Sequence, residues 1–230
     1  YDAYPYSFKE YLAAKQVKLK EHWEYDTIQR SEVKRHLNEY FYYGGLPEIP
    51  SFKNKRAMLS SLYQKIYLGD ICARNNIKND RILNILIKKM AESVKQPLSY
   101  NRLKNVIVAT GSSISVPTTI DYVDYATDSW LILPMENEIG KLTEKEMQKK
   151  YYFVDNGLLN LFLMNSETSL LENMVAVELC RQFGKKNVFF LSAEKEIDFI
   201  VPDVKLAIQV SYSIKEEATH NREVAPLVKY

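Results

Sequence analysis

The residues of this chain best suited to chemistry lie in its last third. Asp198 is followed by Gln209 and Ser211, and two acids, Glu172 and Glu178, precede it on a segment with helical spacing. From Glu196 to Val201 the side chains alternate, with Ile197, Phe199 and Val201 on one face and Glu196 and Asp198 on the other. From Leu206 to Tyr212 the same alternation leaves Gln209 and Ser211 opposite Leu206, Ile208, Val210 and Tyr212. If these strands form a hairpin with the apolar faces against the helix, Asp198, Gln209 and Ser211 converge on its far side. Carboxylate and amide oxygens are the hard ligands that Mg²⁺ prefers, so Asp198 and Glu172 are the first candidates for a metal. Metal-assisted cleavage of a phosphodiester also calls for a cation to help activate water.

The elements before this constellation decide what surrounds it. Tyrosine-rich short helices fill residues 1–55 and end at Gly44-Gly45-Leu46-Pro47, a chain reversal read as a turn or hinge. Helical spacing recurs from Arg56 to Tyr67 and from Arg81 to Val94, where Asp80 is the expected N-cap. A short helix over Tyr100 to Ala109 follows. Ser115 then caps another helix, with Pro117 in its first turn. Leu131 to Pro134 reads as a strand, Glu138 to Gln148 as a polar excursion, and Lys150 to Val154 as the returning strand. Asp155-Asn156-Gly157 marks a turn, with Asp155 as a cap and an apolar helix from Leu158 to Met164 after it.

Three helices followed by a two-stranded wing is the order of a winged helix-turn-helix, with residues 115–129 in the recognition position. That helix offers Thr118, Thr119, Asp121, Tyr122, Asp124 and Tyr125 on its polar side and no Arg or Lys, whereas base reading favours Arg, Lys, Asn or Gln. Packing within the protein is therefore the favoured role. Wing residues Lys141, Lys145, Lys149 and Lys150 are candidates for phosphate contacts, though Glu144 and Glu146 interleave with them.

Composition narrows the classes further. Lys and Arg number 31 against 29 acids, so binding to nucleic acid would need a local patch. The seven glycines form neither a GxxxxGK[ST] loop nor a GxGxxG turn, so this chain holds no phosphate cradle. Cys72 and Cys180 form no CxxC pair and read as buried thiols of a reducing cytoplasm. The three histidines show no zinc spacing. Neither a membrane span nor a signal peptide is legible. A chain opening on Tyr1 without methionine reads as part of something longer.

An upstream acid on a helix, then Asp198, then Gln209-Val210-Ser211, resembles the order in which PD-(D/E)XK nucleases hold Mg²⁺ and a catalytic lysine. Ser211 stands where that family has its lysine and Gln209 replaces a carboxylate, with Lys195, Lys205 and Lys215 near enough in sequence to substitute. More broadly, the segments from Tyr4 to Leu12, Gly44 to Glu48, Leu68 to Ile71, Tyr152 to Leu159, Leu171 to Val175, Glu196 to Phe199 and Gln209 to Tyr212, then Thr219 and Arg222-Glu223, resemble the carboxy-terminal region of predicted AAA+ ATPases. The resemblance implies an ATP-binding core upstream of Tyr1, a helical lid-like segment over residues 1–55, a helical and winged-helix region over 56–165, and a nuclease-like domain over 166–230. The expected fold is thus α+β and mainly helical. The expected role is non-catalytic, with Glu172 or Glu178, Asp198 and Gln209 as a vestigial Mg²⁺ site. DNA bound weakly, protein partners and self-association are the implied contacts. A metal-dependent nuclease coupled to the ATPase and a purely protein-interacting module are the alternatives.

Overall fold

A computed structural model describes residues 3–164, 166–192, 196–212, 224 and 227, with the side chain of Glu144 outside the description. Lys195, Lys215 and the terminal stretch carrying Thr219, Arg222 and Glu223 therefore lie outside the described residues. The fold is mixed α/β, mostly helical, with two small antiparallel sheets.

The first layer is helical. α1 (Phe8–Ala14) opens on a reciprocal cap between Ser7 and Glu10, and α2 (Thr27–Tyr43) on an Asp26 carboxylate that accepts two backbone N–H bonds. α3 (Lys55–Gln64) continues into a π-helical stretch, Lys65–Ala73, longer than the helix expected there. α4 (Asp80–Glu92) buries Ile82, Leu83, Leu86, Ile87 and Met90, the wide stripe its spacing requires. Its N-cap is Asn79, one residue before the expected Asp80, which sits in the first turn instead.

β1 (Leu98–Ser99), α5 (Tyr100–Ala109), α6 (Val116–Asp128), β2 (Ile132–Met135), α7 (Leu142–Met147) and β3 (Gln148–Phe153) follow. Ser115 caps α6 by accepting the Thr118 N–H, as its sequence requires. The strands order as β1-β3-β2, with Met135 opposite Lys150. The excursion between β2 and β3 contains α7, which its charge pattern does not announce. Thr119, expected on the polar side of α6, is fully buried, and its hydroxyl donates to the Ser115 carbonyl.

α8 (Asn156–Asn160) is shorter than the helix expected there, and α9 (Glu167–Phe183) leads into β4 (Phe189–Ser192), β5 (Glu196–Val201) and β6 (Leu206–Ile208). These strands order as β4-β5-β6; the expected hairpin lies in β5 and β6, but β6 ends at Ile208, short of the expected Tyr212, so Gln209 and Ser211 follow the strand rather than lie in it. Phe190 exchanges backbone bonds with Glu136 and Glu138 at 3.0 and 2.8 Å, so the end of β2 runs beside β4 and joins the two sheets. One apolar cluster extends from Ile49 through Leu86, Phe153 and Leu159 to Val201.

The Gly44-Gly45 reversal is clamped rather than hinged. Asp155 caps α8 through the N–H groups of Gly157 and Leu158, and its other oxygen accepts the Gly45 N–H at 2.7 Å. Gly44 has φ +73°, and a Cβ there would run into the Asp155 carboxylate. Gly44→Ala should therefore lower unfolding free energy by at least ~2 kcal/mol in urea denaturation. Gly69→Ala, within the π-helical stretch and with open space around it, should be neutral or stabilising by up to about 1 kcal/mol. Equal effects at both positions would contradict the clamp.

Candidate buried charge cluster

β3 carries Lys150 and Tyr152 on one face, since alternate residues of a strand point the same way. Lys150 is fully buried, and so is Tyr152. This corrects the sequence expectation of Lys150 as a wing residue reaching phosphate. Its ammonium lies 3.4 Å from Glu172 on α9, 3.1 Å from Glu196 and 3.5 Å from Asp198 on β5, and 5.5 Å from the Phe190 ring centroid. All three carboxylate distances exceed the 2.7–2.9 Å usual for a charge-assisted hydrogen bond, so the ammonium is shared among the acids rather than seated on one.

The acids are held by independent contacts. The Tyr152 hydroxyl donates to Glu172 Oε1 at 2.9 Å. Asp198 Oδ2 accepts the Val210 N–H at 2.8 Å, while the Asp198 N–H donates to Gln209 Oε1 at 3.2 Å. Asn173, next to Glu172, grips the backbone of Phe153 from both sides, accepting its N–H at 2.7 Å and donating to its carbonyl at 3.0 Å. That clamp fixes how α9 sits on β3 and so where Glu172 meets Lys150.

Electrostatics follow from burial. Burial opposes the charge on Lys150, but Glu172, Asp198 and Glu196 together outweigh it and hold the ammonium above the ordinary lysine range. One cation cannot balance three carboxylates in a poorly solvated site. Burial accordingly lifts Glu172 to about 7 despite Lys150 beside it, and raises Asp198 as well. Glu196, half exposed, keeps contact with solvent.

Of the residues proposed from sequence, Glu172, Asp198 and Gln209 are brought together, and Ser211 follows them, half-buried. The acids do not occupy a far, solvated face: β5 is buried on both sides from Ile197 to Val201, and Asp198 points toward β3 and α9. Glu178 lies elsewhere, paired with Arg181, which in turn donates to the Pro5 carbonyl at 2.8 Å. Both line a separate cavity of about 530 Å³ with Phe8, Leu37 and Val175. Lys205 occupies an exposed turn with φ +54°. Sequence reasoning missed Lys150, Tyr152 and Glu196 as members of the cluster. The available signal was position: in β3 Lys150 is followed directly by Tyr151, Tyr152 and Phe153, and a lysine at the start of such a buried run needs a buried acid.

A resident Mg²⁺ does not fit this donor set. The ammonium stands between the two buried carboxylates, Asp198 and Gln209 are engaged by backbone N–H groups, and among the described residues no group of three His, Cys, Asp or Glu is disposed to hold a metal.

Residues 34–169 match the family described as Domain of unknown function (DUF8612), and the chain belongs to that family. It is 29% identical over 221 residues to Uncharacterized protein MJ1544 of Methanocaldococcus jannaschii, covering 92% of this chain and 49% of that protein. An uncharacterized protein of Haemophilus influenzae is 31% identical over 228 residues, covering 96% of this chain and 54% of that protein. The chain thus spans about half the length of the curated relatives it matches. No solved structure matches it. No helix among the described residues is long and apolar enough to cross a membrane.

The raised carboxyl of Glu172 has a definite sign in stability. Between the ordinary carboxylate value of 4.5 and about 7 the folded state holds a proton the unfolded state has lost, so stability falls as pH rises through that window. Asp198 and Asp155, the latter lifted to about 6 by burial, act in the same direction, while His36, lowered by burial, opposes them. In urea unfolding at pH 5 and pH 7.5, Glu172→Gln should remove on the order of 1–3 kcal/mol of the wild-type decline. Lys150→Met should cost about 3–5 kcal/mol at pH 7.5 and less at pH 5, where the acids it leaves behind take up protons. A Lys150→Met cost below ~1 kcal/mol and unchanged with pH would refute the cluster.

Proposed function

We propose that this chain is the non-catalytic accessory portion of a larger AAA+-like ATPase and that it engages a protein partner rather than cutting or reading duplex DNA. The observation that carries the reading is the Lys150 ammonium between Glu172 and Asp198, in the position where a nuclease-like site would need its metal. A buried internal cation there neutralises the acids it separates and occupies the space a metal would take, and its removal would leave uncompensated buried charge.

The topology supports the architectural half. α4, β1, α5, α6, β2 and β3, with strand order β1-β3-β2, have the succession of a winged helix. α9 followed by the antiparallel β4-β5-β6 resembles the first half of a PD-(D/E)XK core. The relatives' length leaves room for an ATPase core beyond the region they share with this chain. The exposed residues of α6 support the partner half. Asp121, Asp124 and Asp128 recur along its solvent side, and burial together with Asp128 and Asp121 raises the Asp124 carboxyl. Such a face repels a phosphate backbone. Of the wing lysines, Lys149 pairs with Glu136 at 3.2 Å and Glu146 at 3.6 Å, and Lys150 is internal, so neither offers its charge to a duplex.

A second reading, a nuclease coupled to the ATPase, has one specific point in its favour: Lys150 supplies from β3 the cation that Ser211 does not. Plasmid nicking separates the two. Supercoiled DNA incubated with the chain and Mg²⁺ or Mn²⁺ should stay intact, and duplex DNA should bind weakly with a steep salt dependence. Metal-dependent nicking that disappears in Asp198→Ala would overturn the non-catalytic reading.

A further inference from the structure

α6 ends in a paired reversal. The Leu131 N–H donates to the Ala126 carbonyl and the Trp130 N–H to the Thr127 carbonyl, both at 3.0 Å. This cap puts the intervening residue in the left-handed region, where glycine is the ordinary occupant and asparagine the next. Here that residue is Trp130, at φ +58°. A bulky aromatic in this conformation is a backbone outlier, and such outliers concentrate where a side chain is used for something besides folding. The turn itself requires no indole.

The surroundings indicate a use. Trp130 is half-buried, with Tyr4 edge-on at 5.5 Å, and it lines a cavity of about 470 Å³ with Thr127, Pro134, Phe189, Lys185 and Lys186. The Lys185 ammonium lies 4.4 Å from the indole centroid, and that of Lys145 lies 6.0 Å from the Phe189 ring. Lys186 is exposed. Among the described residues none of these three lysines is in an ion pair, whereas Glu136, the acid on the cavity wall, is taken by Lys149. Aromatic rings interleaved with ammonium groups, in a groove of ligand size, match the needs of a flexible polyanion that carries flat rings.

We propose that this groove binds single-stranded nucleic acid, with one base stacked on Trp130 and the flanking phosphates held by Lys185, Lys186 and Lys145. A base entering the groove replaces the Lys185 ammonium on the indole face, and the flexible lysine stem carries that ammonium to the adjacent phosphate. A duplex keeps its bases within the stack and cannot offer that face. An acidic peptide would use the lysines but leave the indole without a partner. The site lies at the junction of β2 and β4 and depends on neither the buried cluster nor the partner assigned to α6.

The test uses the Trp23→Phe chain, in which Trp130 is the remaining one of the two tryptophans. A short oligothymidylate should quench its fluorescence at low salt, while a duplex of equal length and polyglutamate should not. With a labelled oligonucleotide, Trp130→Gly should bind about tenfold more weakly, while the fit of glycine to the left-handed cap offsets part of the packing lost against Tyr4. If that variant is unfolded under the binding conditions, which its urea midpoint reports, Trp130→Leu keeps apolar packing without a stacking face and serves in its place. The double variant Lys185→Gln/Lys186→Gln should also weaken binding and flatten its salt dependence by about two phosphate contacts. Absence of quenching, equal quenching by polyglutamate, or unchanged affinity in the tryptophan variants would overturn the proposal.

Discussion

A single buried ammonium sets the terms for the carboxy-terminal half of this protein. Lys150 belongs to the first sheet, Glu172 to α9, and Asp198, with the half-exposed Glu196, to the second sheet, and the approach of Lys150 to Glu172 and Asp198 makes the burial of these three tolerable. A charge in a poorly solvated interior has no gradual alternative: its partners are all within reach or the fold around it is strongly destabilised. The apolar contacts nearby, such as Tyr152 against Phe199 at 5.5 Å between centroids, would accept several arrangements of α9 on β3. The ion cluster and the Asn173 grip on Phe153 select one of them.

The same economy of polar contacts extends to the other end of β3. Asp155 and Asn156, which follow it, reach back to Gly45 and to the Phe41 carbonyl, so the amino-terminal helices are tied to the strand that carries Lys150. From this frame project the two surfaces with functional consequences. The solvent side of α6 is acidic, carrying Asp121, Asp124 and Asp128. Beyond its last turn the charge reverses at the groove of Trp130, Lys185 and Lys186.

What sequence made legible was local. Ser115 and Asp155 as caps, Pro117 in a first turn, and the pairing of Asp198 with Gln209 across the hairpin each depend on neighbours or on a single turn, where propensity and alternation act directly. What escaped depends on partners far along the chain. Lys150 meets Glu172 22 positions away and Asp198 48 positions away, so in a run of lysines and glutamates it resembled its solvated neighbours. The expected polar face of β5 failed for a related reason. Alternation separates two faces without saying that both are covered, and here Asp198 lies inside because a cation from another sheet meets it. Trp130 shows a third limit: a left-handed cap is signalled by glycine, and a tryptophan in that position carries no local mark of the turn.

The central claim is that Lys150 is a permanently charged internal cation held by three carboxylates. Its protonation can be followed directly by NMR titration of selectively labelled lysine side chains, with the Lys150 signal assigned from Lys150→Met. This ammonium should keep its proton past the ordinary lysine range, after exposed lysines have titrated, because Glu172, Asp198 and Glu196 together outweigh its burial. Deprotonation of Lys150 below that range, before the exposed lysines, would mean that burial prevails over the carboxylates, and the cluster would not be the cation-centred lock described.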